Sequence, residues 1–168
     1  MNNKKRVRAR AIILQDEKLV SMYREREGRV FYTFPGGGIE DNETEEECVI
    51  REVFEEFGMI VEAIKKVYTY ENDISVEHFY VCKHISGEFG SGEGEEYQEN
   101  RNNGVYRPTL IDICDIPGLP LMPPEVALQF YKDYKNNGVE LRDDVKLLVV
   151  AKGLGNGANE KKEQKEKN

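Results

Sequence analysis

Tryptophan is absent from the 168 residues, histidine occurs twice and cysteine three times. Cys48, Cys82 and Cys114 are odd in number, with no Cys-x-x-Cys and no zinc spacing. They are therefore expected to be reduced, outside any disulfide framework or zinc site, which fits a cytoplasmic protein. His78 and His84 lack metal-site spacing and are read as structural or exposed. No apolar run approaches ~18 residues, so no helical membrane span is expected. The apolar stretch Ala11–Leu14, after the basic Met1–Arg10, is too short for the roughly 7–15 residue core of a signal peptide. Net positive charge is lacking as well. The chain carries −8, and its last sixteen residues hold four Lys and three Glu, which leaves −9 on the rest. An acidic surface repels nucleic acid and anionic membrane. It meets a phosphorylated ligand only through a cation or through local Arg and Lys.

Two glycine patterns are incomplete. Gly36–Gly38 lacks the Gly-Lys-Ser/Thr ending of a P-loop, and Gly153-Leu-Gly155-Asn-Gly157-Ala158 has only ten residues after it, too few for a dinucleotide-binding unit. No internal repeat is present.

What remains is ordinary globular material, 39% hydrophobic and 33% charged, of a length that suits one domain. The sequence predicts a single domain over residues 1–152 and a disordered Lys/Glu-rich tail over 153–168. Strands are expected at Val7–Leu14, Leu19–Tyr23, Val30–Phe34, Ile60–Tyr70, Ser75–Lys83, Thr109–Ile113 and Val145–Val150. Pro35 and Gly36–Gly38 read as a loop. Thr44 and Glu47 match a capping box opening a helix that Gly58 ends. Pro123-Pro124-Glu125 opens a second helix, running to about Asn136. Gly87–Asn103 is a long polar loop of the kind that carries function or disorder. The mixture predicts an α+β fold, a mostly antiparallel mixed sheet with helices on its faces.

On a helical wheel of the first helix, Val49, Ile50, Val53, Phe54 and Phe57 span an arc of about 140°, the expected buried stripe. Glu52, Glu55 and Glu56 share an adjoining arc of about 100°. Like charges at i, i+4 cost a few tenths of a kcal/mol each, and the dipole disfavours anions in the last turn of a helix. The glutamates are either a solvated face or ligands of a hard divalent cation such as Mg²⁺, often bound by a few carboxylates plus substrate phosphates.

The residues preceding them favour the second reading. Gly37, five residues, Glu43, seven residues, Arg51-Glu52-Val53, one residue, Glu55-Glu56, one residue, Gly58-Met59 resembles the signature of the Nudix hydrolase (MutT-like) family, with all seven fixed positions matched. Chance would give this roughly once in 10⁸ registers. The resemblance implies an α/β/α sandwich with a loop-helix-loop motif. It also implies a pyrophosphohydrolase that cleaves a diphosphate linkage in a nucleoside diphosphate-X substrate: a nucleoside triphosphate, a nucleotide sugar, ADP-ribose or similar. Glu52, Glu55 and Glu56 are then ligands of Mg²⁺ or Mn²⁺, the Gly37 or Gly38 carbonyl completes the shell, and Arg51 and Glu43 orient the carboxylates. The general base is Glu52 or an acid of Gly92–Asn100, where Glu96 is preferred because Tyr97 would anchor it. Arg24 corresponds in place to a phosphate-binding arginine of some relatives, and is otherwise a surface charge. Tyr32 and Phe34 line a base or sugar pocket or pack in the core. Homodimers are common among such hydrolases, so a homodimer is the expected assembly. The rival reading is a silent nucleotide-ligand sensor on the same fold. It has no need of three intact glutamates.

Overall fold

The computed structural model describes residues 4–92 and 104–151. The predicted tail 153–168 and Glu96 lie outside them. In chain order the elements are β1 (Arg6–Gln15), β2 (Lys18–Arg26), β3 (Arg29–Thr33), β4 (Gly36–Gly38), α1 (Glu45–Phe57), β5 (Ile60–Glu71), β6 (Ser75–Ser86), β7 (Val105–Asp112), β8 (Leu121–Met122), α2 (Pro124–Asn137) and β9 (Lys146–Val149). Short 3-10 turns cover Ile113–Gly118 and Gly138–Glu140.

Two hairpins start the chain. Asp16 and Glu17 both hold positive φ (50° and 63°) between β1 and β2, as do Glu27 and Gly28 (54° and 77°) between β2 and β3. These two-residue turns match the right-handed twist of the strands they join. The sheet runs β8-β3-β2-β1-β6-β5-β9, with β4 also on β1 and β7 also on β2. The pairs β1–β6, β3–β8 and β5–β9 are parallel and the others antiparallel.

Strand alternation sends the core to both faces. Ala9, Ala11 and Ile13 join Cys48, Val49, Val53 and Phe57 of α1 in one buried cluster. Ile12, Phe34, Tyr68 and Phe79 join Val126, Ala127 and Phe130 of α2 in the other. The result is the expected three-layer α/β/α arrangement. Each large apolar side chain fully buried in these layers contributes about 1.5–3 kcal/mol.

Three local expectations are corrected. Gly36–Gly38 is a strand, pairing antiparallel with β1 through Arg8–Gly38 and Arg10–Gly36. Gly36 has φ 142°, and a Cβ there would collide with the Ala9 carbonyl, so glycine permits the close approach that its sequence pattern hides. β7 begins at Val105, four residues before the expected Thr109. Pro108 breaks the apparent strand, yet β7 pairs with β2 alone, and an edge strand tolerates proline. The buried stripe of α1 is rotated: Ile50 is exposed and Phe54 is 54% exposed, while Cys48 and Glu56 are buried. Among the described residues, no helix is long and apolar enough to cross a membrane.

Candidate active site

The rotation of α1 places Glu52 and Glu56 between Cys48 and Val49 on the wheel, inside the buried arc. The helix is fixed at both ends. The Thr44 hydroxyl accepts from Glu47 N at 3.0 Å, and the Glu47 carboxylate accepts from Thr44 N at 2.8 Å. Gly58, at φ 72°, returns its amide to the Phe54 carbonyl. Cys48 lies under β4, its thiol 3.5 Å from the carbonyl oxygens of Gly37 and Gly38. Burial raises the Cys48 pKa to about 11, so the thiol stays neutral and can donate.

β4 passes directly over the two glutamates. Glu56 is 8% exposed and its carboxylate accepts from the Gly36 amide at 2.9 Å. The Glu52 side chain is 12% exposed, and a Cβ on Gly37 would collide with its carboxylate. The glycine is thus a cradle that a side chain would fill. Carboxylate and backbone oxygens are the hard donors that Mg²⁺ prefers, and Mg²⁺ is commonly held by one or two carboxylates plus substrate phosphates. Glu52, Glu56 and the Gly37 backbone fit that requirement.

Glu55 behaves differently. Its side chain is 45% exposed and is engaged by Arg51 at 3.2 Å. Among the described residues, no group of three or more His, Cys, Asp or Glu side chains converges to hold a metal ion. Arg51 forks onto Glu43 at 2.7 and 3.0 Å, reaches the Gly38 carbonyl at 3.2 Å and lies 3.6 Å from Glu52. The Glu43 hydrogen bond raises the pKa of Arg51, and the same contact lowers that of Glu43. Arg51 therefore ties the turn before the helix to the helix itself. Glu47, four residues before Arg51, is committed to the cap.

Glu52 and Glu56 face a cavity of about 280 Å³ whose other walls include Arg8, Arg10, Arg24, Thr33 and Tyr106. Arg24 stacks on Tyr106, 3.7 Å from the ring centre, with Phe31 at 5.4 Å. Burial lowers its pKa. Arg10 is fixed by Glu77 at 2.9 Å and by the Phe34 and Gly36 carbonyls at 3.1 and 3.3 Å. Residues of the segment before Glu96 close the far end of the helix: the amides of Gly90 and Ser91 donate to the Phe57 carbonyl, and Gly92 lies against the backbone of Glu55 and Glu56.

Tyr32 and Phe34 are not on this cavity. Tyr32 packs edge-on against Tyr23 at 5.5 Å, and Phe34, 1% exposed, packs against Phe79 at 5.2 Å in the α2-side core. The reason is the two-residue period of a strand: Thr33 reaches the cavity and Phe31 sits by Arg24, so the even-numbered neighbours face away. Arg8, Arg10, Thr33 and Tyr106 were missed by sequence reasoning. The alternation of Arg6, Arg8 and Arg10 next to the glycine strand was the available signal.

Paired carboxylates under a glycine strand, opposed by guanidinium groups, suit a cation together with a polyanion. A family model for the NUDIX domain matches residues 4–106. The chain belongs to the NUDIX family. The chain is 37% identical over 57 residues to an RNA pyrophosphohydrolase of Pasteurella multocida (strain Pm70), a match covering 34% of this chain and 29% of that protein. Among solved structures, a NUDIX hydrolase from Nitrosomonas europaea superposes with TM-score 0.67 at 19% identity, covering 90% of this chain and 81% of the other. An ADP-ribose pyrophosphatase from Streptococcus suis 89-1591 gives 0.56 at 20% identity, covering 88% and 100%. These structures share the NUDIX fold with this chain.

Proposed function

We propose that this NUDIX protein is a metal-dependent pyrophosphohydrolase cleaving a diphosphate linkage in a nucleotide-type substrate. The observation that carries the reading is the pairing of Glu52 and Glu56 beneath Gly36 and Gly37, on a cavity that arginines also line. The similarity to an RNA pyrophosphohydrolase supports the reaction class.

In this reading Glu52, Glu56 and the Gly37 carbonyl hold Mg²⁺ or Mn²⁺, with Glu55 joining when it leaves Arg51. When bound, such an ion supplies charge neutralisation for the phosphates and Lewis acidity toward the phosphoryl oxygens. Arg51 fixes the helix against the Gly38–Glu43 turn and keeps Glu52 from drifting. Arg24, held flat by Tyr106, orients the substrate phosphates. A carboxylate takes the proton of the attacking water. Glu52 in the cavity and Glu96 in the long polar loop are the two bases to compare, through the pH profiles of Glu52→Gln and Glu96→Gln. The same reading sets the protein in the cytoplasm, from the free thiols of Cys48, Cys82 and Cys114, and makes it a homodimer, which light scattering checks.

The test is phosphate release from nucleoside triphosphates, nucleotide sugars, ADP-ribose and dinucleoside polyphosphates, with Mg²⁺, Mn²⁺ or EDTA. Metal-dependent turnover of one class supports the reading and names the substrate. Binding of a nucleotide without turnover of any would replace it with the ligand-sensor reading.

A further inference from the structure

The cavity lined by the glutamates also holds a cation that the reading above leaves without a task. Arg8 is half-buried on β1, level with Gly38 in the β1–β4 register, and lines the same cavity as Glu52 and Glu56. Its neighbour Arg10 is locked by a carboxylate and two carbonyls, and Arg24 is stacked on Tyr106. Among the described residues, the Arg8 guanidinium has neither an ion-pair nor a hydrogen-bond partner; it feels Glu77 and Glu52 only at a distance. Burial opposes its charge first, and the like charges of Arg10 and Arg6 oppose it further.

A guanidinium carries five donors in a rigid fork. Half-burial strips part of its hydration and leaves the fork facing the cavity with no protein acceptor among the described residues. Its place on β1 does not require an arginine for packing, since the inward positions Ala9, Ala11 and Ile13 already fill the α1-side core. The partner that suits such a fork is an anion that enters the cavity and accepts two parallel hydrogen bonds. A phosphate group does both.

We propose that Arg8 is a phosphate-binding residue of this site, donating its guanidinium fork to the non-bridging oxygens of the substrate's diphosphate in the cavity that Glu52 and Glu56 also line. Arg10 is a positioning residue: tied to Glu77 and to the Phe34 and Gly36 carbonyls, it fixes the strand that carries Arg8. The inference rests on the reading that the cavity receives a diphosphate.

The experiment compares wild type, Arg8→Gln and Arg8→Lys in three measurements: calorimetric binding of inorganic pyrophosphate with Mg²⁺, kcat and KM on the best substrate of the panel, and Tm without ligand. The expected result is a loss of roughly tenfold to a hundredfold in pyrophosphate affinity and kcat/KM for Arg8→Gln, the range for a hydrogen bond to a charged group. Arg8→Lys should recover part of it by restoring charge without the fork. The unliganded Tm of Arg8→Gln should equal or exceed that of wild type, because a partnerless half-buried charge has been removed. Unchanged affinity and kcat/KM in Arg8→Gln, beside an active wild type, overturns the role of Arg8 alone. A drop in Tm that accounts for the lost activity makes Arg8 structural and also overturns it. A folded wild type that neither binds pyrophosphate nor turns over any substrate overturns the cavity reading itself, and the Arg8 role with it.

Discussion

Glu56 keeps its place through the Gly36 amide, which donates to one carboxylate oxygen. A glutamine there still offers an amide oxygen to that donor, so Glu56→Gln should fold normally, with an unchanged Tm, while turnover falls more than about 100-fold. A residue that holds the metal directly should cost more than the roughly 10–100-fold typical of groups one step removed from the ion. Thermal melting and phosphate release check the two halves separately. Glu43 makes a pH prediction. The Arg51 hydrogen bond lowers its folded pKa, so its stabilising contribution is present above the ordinary value of 4.5 and is lost as pH falls below it. Glu43→Gln should therefore cost about 1 kcal/mol near neutrality, a value discounted for the solvent-open side of the pair. The gap in Tm to wild type should close as the melts are taken below pH 4.5. At this scale the sequence was legible where a motif spaced the residues and misleading where only parity decided. The glutamates stood out through their spacing. Tyr32 and Phe34 stayed open between pocket and core because aromatic type says nothing about which face of the chain they occupy. Arg8 was passed over because an arginine beside a polar terminus looks like solvated charge.

Helix α1 was the most legible element, since its start, stop and apolar period are all chemical signals. The capping box and the Gly58 stop both appear in the structure. Thr44→Ala removes the cap to Glu47 N and should cost about 1 kcal/mol, lowering Tm by roughly 2–4 °C in a calorimetric scan. Gly37→Ala acts on β4 instead. A methyl group there would meet the Glu52 carboxylate, whose flexible end can move aside, so stability should change little while the Mg²⁺ concentration for half-maximal activity rises. A metal titration of activity reads that shift, and an unchanged half-saturation point would contradict the role given to the Gly37–Glu52 contact. The strand character of Gly36–Gly38 was hidden because glycine has no side-chain pattern to alternate. The rotation of α1 was hidden because Ile50 and Phe54 are as apolar as the residues that do bury. Only the overlying β4 decides that Glu52 and Glu56, rather than these two, turn inward.

For the whole molecule, the two-faced sheet sets the candidate site at the place where β1, β4 and α1 meet, and in the proposed reading a cation joins Arg8, Arg10 and Arg24 there in accepting an anionic substrate. The sequence predicted two helices and a mixed sheet from local patterns. The sandwich came only through the family resemblance, and the parallel pairing of β1 with β6 was not anticipated at all, because contacts between strands so distant in sequence leave no periodic trace in either. The central claim is that Glu52 and Glu56 form a metal-dependent centre for diphosphate hydrolysis. Phosphate release across the nucleotide panel, run with Mg²⁺, with EDTA and with Glu56→Gln, tests it most directly. The account predicts turnover of at least one substrate class with Mg²⁺, and none with EDTA or in the variant. Turnover that persists in EDTA, or that Glu56→Gln leaves intact, would contradict it.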